Sequence, residues 1–166
     1  MKLQIVLHNI RSCYNVGAIL RTAEGFGVSR VILSGYTPRV HDLRLLPHLR
    51  EKLDREIHKT ALGAEEMLDV CSCSDIFCEI NELRKDGWQI VGLENNIHEK
   101  LYQLGSKELK ECLGDKVVLV LGEEVSGIDS LLYDVIDLFV EIPMKGRKES
   151  FNVSVAAGIA IFALAS

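Results

Sequence analysis

Val117-Val118-Leu119-Val120-Leu121 runs without interruption into Gly122-Glu123-Glu124-Val125-Ser126-Gly127. Five consecutive apolar residues with no polar alternation read as a strand buried on both faces, the habit of parallel sheets. The loop that follows, bracketed by two glycines and carrying two acids, stands at the strand's carboxyl end, where open α/β sheets bind ligands. Working outward, residues 3–7, 31–33, 88–93 and 138–142 are further short runs rich in Val, Ile and Leu. Helical patterns separate them. Val16, Ile19, Leu20, Ala23 and Phe26 share one face of a helix that Gly27 closes, and residues 76–85 repeat the arrangement before Gly87. The alternation predicts an α/β fold, an open parallel sheet flanked by helices. No repeat, low-complexity tract or linker divides the chain, so a single domain over residues 1–166 is expected.

The composition is that of a globular protein: 166 residues, 48% hydrophobic, 26% charged, net charge -5. Disorder and disulfide-scaffold classes are excluded, because a chain of this length can bury a core without staples. The start, MKLQIVLHNIRSCYN, has no signal-peptide pattern, and the apolar stretch 153–165 is too short to span a bilayer. A cytoplasmic protein with no membrane association is expected. Five cysteines are an odd number, and the spacing of Cys71, Cys73 and Cys78 matches no zinc ligand set, which favours reduced thiols and no metal. Charge is uneven. Residues 36–60 hold six cations against four acids with three histidines, and residues 64–86 hold two cations against seven acids. With Pro38 and Pro47, the first segment reads as a long loop, either presenting cations to phosphate or simply solvated.

Three segments carry candidate chemistry. Asn15-Val16-Gly17-Ala18-Ile19-Leu20-Arg21 opens the first helix, where Asn15 can cap and Gly17 allows close backbone approach. The glycine-bracketed loop after residue 121 is the second. The third, Ile142-Pro143-Met144-Lys145-Gly146-Arg147-Lys148-Glu149-Ser150-Phe151-Asn152-Val153-Ser154-Val155-Ala156, ends a strand, passes through a basic loop and enters an apolar helix that Ser150 is placed to cap.

In this order the three motifs, NxGAxxR, GxExxG and IPMxG with SxNVSVA, resemble the SpoU (TrmH-like) family of RNA 2'-O-methyltransferases of the SPOUT class. The resemblance covers nearly the whole chain and implies a parallel sheet with a C-terminal deep trefoil knot, a topology that periodicity does not reveal. It implies S-adenosyl-L-methionine as cofactor, held around Leu93, Gly122, Ile142 and Phe151, with no metal. It implies Arg21 and Asn15 of the first motif, Glu124 of the second, and Ser150 and Asn152 of the third as catalytic residues. Glu123, where the family often has a small residue, and Phe151, in place of the commoner Leu, depart from the pattern. The reaction implied is methyl transfer to a ribose 2'-hydroxyl of structured RNA, tRNA being favoured over rRNA because the chain shows no accessory RNA-binding domain. Arg21 has the chemistry to pin a phosphate and stabilise the developing alkoxide, whereas a guanidinium with a pKa above ~12 is a poor base. Glu124 is expected to fix Arg21 or the motif loops.

A homodimer is expected, from the family and from an apolar helix face running from Val153 through Ile159, Ile161 and Leu164. RNA recognition then falls to the core itself or to a partner protein. The alternative is an inactive RNA- or cofactor-binding module of the same fold. A nicotinamide-binding domain is disfavoured because Gly25-Phe26-Gly27 lacks the third glycine of the fingerprint and closes a helix where the fingerprint opens one.

Overall fold

The computed structural model describes residues 1–95, 97 and 101–165. Strands β1 (Lys2–His8), β2 (Arg30–Ser34), β4 (Gln89–Leu93), β6 (Lys116–Leu121) and β7 (Leu138–Glu141) correspond to the five apolar runs. Two three-residue strands, β3 (Val70–Ser72) and β5 (Leu101–Gln103), form the sheet's margins and went unread in the sequence. All neighbours pair in parallel, in the order β3-β2-β1-β6-β4-β7-β5.

The sheet separates two apolar layers by the twofold alternation of its side chains. Leu3, Ile5 and Leu7 of β1 face helices α1 (Cys13–Gly25) and α6 (Val153–Ala165), where Ile19, Leu20, Ala157 and Ile161 complete the layer. Val6, Ile32, Val118 and Val120 face the other way, onto Ile76, Ile80 and Leu83 of α4 (Ile76–Lys85) and onto a 3-10 turn, Ser130–Val135. The glycines expected to end α1 and α4 do so. Gly27 and Gly87 both have positive φ, and the amides of Val28 and Trp88 bond back to Ala23 and Leu83.

Residues 36–60 are not one long loop. Pro47 opens α2 (Pro47–Ala61), since a missing N–H costs nothing at a helix's first position, and only Ile57 and Ala61 of that helix are buried. A helix with so narrow an apolar stripe leaves little periodic signal. Short helices α3 (Ala64–Met67) and α5 (Lys107–Cys112) complete the chain. Two cap assignments also change. Ser12, not Asn15, caps α1 by accepting the Asn15 amide. Asn152, not Ser150, caps α6, its Oδ1 accepting the Ser154 amide at 2.9 Å. The exposed face of α6 is narrower than expected, because Ile161 and Leu164 are buried in the chain's own core. Val155, Ile159 and Phe162 are the large apolar residues it leaves exposed.

Parallel register brings the motif loops to one edge. Leu7 pairs with Leu121, Gly92 with Val120 and Leu93 with Val140, so the loops after β1, β4, β6 and β7 leave the sheet at neighbouring points.

Candidate active site

The loop after β6 folds back on itself. Glu123 and Gly127 exchange both backbone hydrogen bonds at 2.9 Å, and a Cβ on Gly122 would lie 2.2 Å from the Gly127 carbonyl oxygen. Only glycine permits that closure. The closed loop presents Glu124 to the start of α1, where the Arg11 amide donates to Oε2 at 3.1 Å and the Ser12 amide to Oε1 at 3.2 Å. The Asn15 side-chain amide also donates to Oε1, at 3.1 Å. Desolvation pushes the Glu124 carboxyl up, but these donors outweigh it and hold the group below the usual glutamate range. Asn15 Oδ1 in turn accepts from Asn152 Nδ2 at 3.3 Å. One hydrogen-bonded path therefore links the first, second and third motifs.

Beside this path lies a cleft lined by Leu93, Leu121, Ile142, Phe151, Val153 and Ala156, with Glu94, Asn95, Glu123, Glu124 and Ser150 among its polar groups. All four positions expected to hold the cofactor line it. An apolar sleeve with carboxylates at its edge suits a ligand that joins a heteroaromatic base to a cationic centre, so the residues present fit S-adenosylmethionine. Among the described residues, no three His, Cys, Asp or Glu side chains gather as metal ligands.

The five expected catalytic residues separate into two groups. Glu124, Asn15 and Asn152 spend their polar atoms on one another and on backbone amides, so they shape the site. Glu124 holds the loop that enters α1 and does not hold Arg21. Ser150 lines the cleft with its hydroxyl unbonded among the described residues. Arg21 stands apart. It is exposed, lies outside the cleft lining, and makes no hydrogen bond or ion pair among the described residues. It stands six positions beyond Asn15, roughly 9 Å along the helix and on a different face.

Sequence reasoning missed Glu94 and Asn95. Glu94 Oε2 accepts the Ile128 amide at 2.8 Å, Asn95 Oδ1 accepts the Ile142 amide at 3.3 Å, and Asn95 Nδ2 donates to the Glu149 carbonyl at 3.0 Å. These two residues tie the loops after β4, β6 and β7 together. The available signal was their position, an adjacent acid and amide at the carboxyl end of a buried strand.

The sequence profile of the SpoU rRNA Methylase family matches residues 2–162. The chain belongs to that family. Among curated relatives, the 23S rRNA (guanosine-2'-O-)-methyltransferase RlmB of Xylella fastidiosa (strain 9a5c) is 34% identical over 160 residues. That alignment takes in 96% of this chain and 57% of the relative, so the chain spans little more than half of the relative's length. An AdoMet-bound rRNA methyltransferase from Sinorhizobium meliloti superposes with a TM-score of 0.79 at 23% identity, over 98% of this chain and 55% of that one. The SpoU methyltransferase AviRb from Streptomyces viridochromogenes, in complex with AdoMet, gives 0.78 at 20% identity, over 99% and 57%. Both likenesses establish the shared fold.

Proposed function

We propose that the protein is an S-adenosylmethionine-dependent RNA 2'-O-methyltransferase built on one methyltransferase domain and acting on ribosomal RNA in the cytoplasm. The observation that carries this reading is the cleft, where Leu93, Gly122, Ile142 and Phe151 converge beside the linked motif residues Asn15, Glu124 and Asn152. Family membership and a cofactor-bound relative of the same fold support it. The expected preference for tRNA has no support from the curated relatives, which are named for 23S rRNA, and ribosomal RNA is the better reading. The trefoil threading implied by the family is part of the proposal, supported by a strand order that sets β6 between β1 and β4.

When bound, the cofactor supplies an electrophilic methyl group on sulfonium. The chain's task is to bring a ribose hydroxyl in line with that methyl and stabilise the alkoxide that forms. Ser150, whose hydroxyl is unbonded among the described residues, orients ribose or phosphate in the cleft. Asn15, Asn152 and Glu124 keep the motif loops in register around it. Arg21 supplies the cation, and its exposure outside the cleft means that it reaches a reacting ribose from beyond its own chain's pocket.

A second copy supplies that geometry. Val155, Ile159 and Phe162 form an exposed apolar strip on α6, continued by Phe26 of α1, whose ring meets Phe162 edge-on at 5.9 Å. Isologous packing of this strip would cover it and carry Arg21 of each copy toward the partner's cleft. Light scattering at tens of micromolar should give a dimer mass, and a monomer would remove this part of the proposal.

The deciding experiment is single-turnover methylation of transcribed 23S rRNA, with cofactor binding followed by calorimetry. Arg21→Ala should bind cofactor normally and turn over roughly 10²-fold more slowly, the scale lost with one preorganised charge. Absence of cofactor binding at millimolar ligand would overturn the enzyme reading.

A further inference from the structure

We propose that Arg11 is a docking residue for the RNA phosphate backbone at the rim of the cleft, and that Glu123 holds it latched until a phosphate displaces the carboxylate. The proposal rests on the reading of the chain as an RNA-modifying enzyme, and it concerns two residues to which the motifs assign no role.

Arg11 lies in the loop between β1 and α1. Its backbone is fixed, because its amide donates to Glu124 Oε2 and the next amide to Oε1. Its side chain, 67% exposed, extends to the Glu123 carboxylate, which is 8% exposed and lines the cleft. The two partners hold each other on unequal terms. Glu123 is anchored by the exchange of backbone bonds with Gly127, and its Oε2 accepts from the Ser126 amide at 3.2 Å and from the Ser126 hydroxyl. Its Oε1 has no hydrogen-bond partner among the described residues and faces only the Arg11 guanidinium. When Arg11 leaves, Glu123 keeps both Ser126 donors. When Arg11 stays, most of its five N–H donors still point to solvent.

The surroundings identify the ligand. The third motif puts Lys145, Arg147 and Lys148 on the loop that leads to Ser150, all exposed and without ion pairs among the described residues. That loop carries three cations against one acid, Glu149, between Ile142 and Ser150, which both line the cleft, so in a chain of net charge -5 it is a locally basic segment leading into the site. Phosphate oxygens match a guanidinium fork in two-point geometry, and binding them releases condensed counterions. The carboxylate of the latch is buried but its guanidinium is two-thirds exposed, so water screens the cation's side of the pair and a two-point phosphate contact competes with it. An RNA backbone arriving at the rim therefore displaces Glu123 from Arg11, and the pinned backbone of Arg11 means that little further ordering is needed.

The test uses octauridylate, a sequence-neutral RNA, and measures binding to wild type, Arg11→Ala, Glu123→Gln and the double variant as a function of salt. Gln at 123 keeps an acceptor for Ser126 and removes the charge that latches Arg11. Arg11→Ala should weaken binding about fivefold at low salt and lower the salt slope by roughly one. Glu123→Gln should tighten binding by a similar factor in the wild-type background and have no effect once Arg11 is gone. An unchanged slope in Arg11→Ala would overturn the proposal, as would a Glu123→Gln gain that persists without Arg11, since that gain would be general charge repulsion. Failure of the wild type to bind octauridylate would overturn it as well. S-adenosylhomocysteine binding, measured in parallel, should be the same in wild type and Arg11→Ala. Its absence from both would remove the methyl-transfer reading while leaving the salt slopes to judge Arg11.

Discussion

The carboxyl ends of β1 and β6 and the margin built from residues 36–46, α2 and α3 both gather charge, and they treat it in opposite ways. At the strand ends, Glu124 is met by two backbone amides and one side-chain amide. Backbone donors cannot swing away, so the carboxylate fixes one loop against another. At the margin each carboxylate is met by an ionisable side chain and by at most one backbone amide of another residue. His41 sits between Asp54 and Glu66, His58 meets Glu65, and Arg44 meets Asp42 and brings that carboxyl down to about 2. The His41, His58 and Arg44 ends of these pairs are exposed, so solvent screens them. The first region therefore owes its geometry to charge, whereas the second uses charge to decorate a geometry set by apolar packing.

The two regions meet at α1, whose first turn belongs to the site and whose flank packs on α2. Gly17 makes that packing possible, because a Cβ there would lie 2.3 Å from both the Ile57 carbonyl oxygen and Thr60 Oγ1. Thr60 also donates to the Tyr14 carbonyl at 2.9 Å, closing the same seam. Gly17→Ala forces the helices apart and should cost on the order of 3 kcal/mol, with loss of cofactor binding as Asn15 leaves Glu124. Urea unfolding measures the first effect and calorimetry the second. A variant as stable as wild type would mean that the seam yields and that the site does not depend on the margin.

The sequence showed the first region far better than the second. Buried parallel strands announce themselves as unbroken apolar runs, so β1, β2, β4, β6 and β7 were legible, and the loops at their ends followed. The margin strands β3 and β5 are three residues each, too short for any run to stand out. Helix α2 buries only Ile57 and Ala61, so its periodicity was faint and its charges read as a loop. Strand order is a matter of long-range pairing, and nothing in a local pattern places β6 between β1 and β4. In the site, the motif residues were legible through resemblance, but their division of labour was not. That Glu124 and Asn152 are engaged while the Arg21 and Ser150 side chains have no hydrogen bond among the described residues is visible only in three dimensions.

Removing Glu124 should produce the middle effect. Glu124→Ala leaves the Arg11 and Ser12 amides and the Asn15 side chain without an acceptor in a half-buried place, a loss of about 2 kcal/mol. Because the folded carboxyl titrates below its unfolded value, its contribution is complete above the ordinary glutamate range and fades as pH falls through the folded pKa. Stability curves of wild type and Glu124→Ala should thus separate at neutral pH and converge in acid. Parallel curves across that range would show that the junction does not hold an ionised Glu124.

The smallest effect belongs to the margin, at His41. Its backbone is left-handed, with φ of 54°, and its amide donates to Asp54 Oδ1 at 2.8 Å. Its two ring nitrogens face Asp54 Oδ2 at 3.2 Å and Glu66 Oε1 at 2.8 Å, an arrangement that only the doubly protonated ring satisfies, since a neutral ring has one N–H to give. The hydrogen bond to Glu66, with the Asp54 charge, raises the His41 pKa against a smaller desolvation effect. Here the sign is opposite to that of Glu124: the clamp is complete below about 6.5, the ordinary histidine value, and is lost as pH rises through the folded pKa. The ring is largely exposed, so the stability at stake is a few tenths of a kcal/mol. His41→Asn tolerates the left-handed backbone and removes the ring, so it should abolish the pH dependence of amide exchange in residues 36–46 while leaving the Glu124 acid transition in place. A His41 ring that titrates at or below the ordinary value by NMR would overturn this, because the margin would then hold its loop without a charged imidazole.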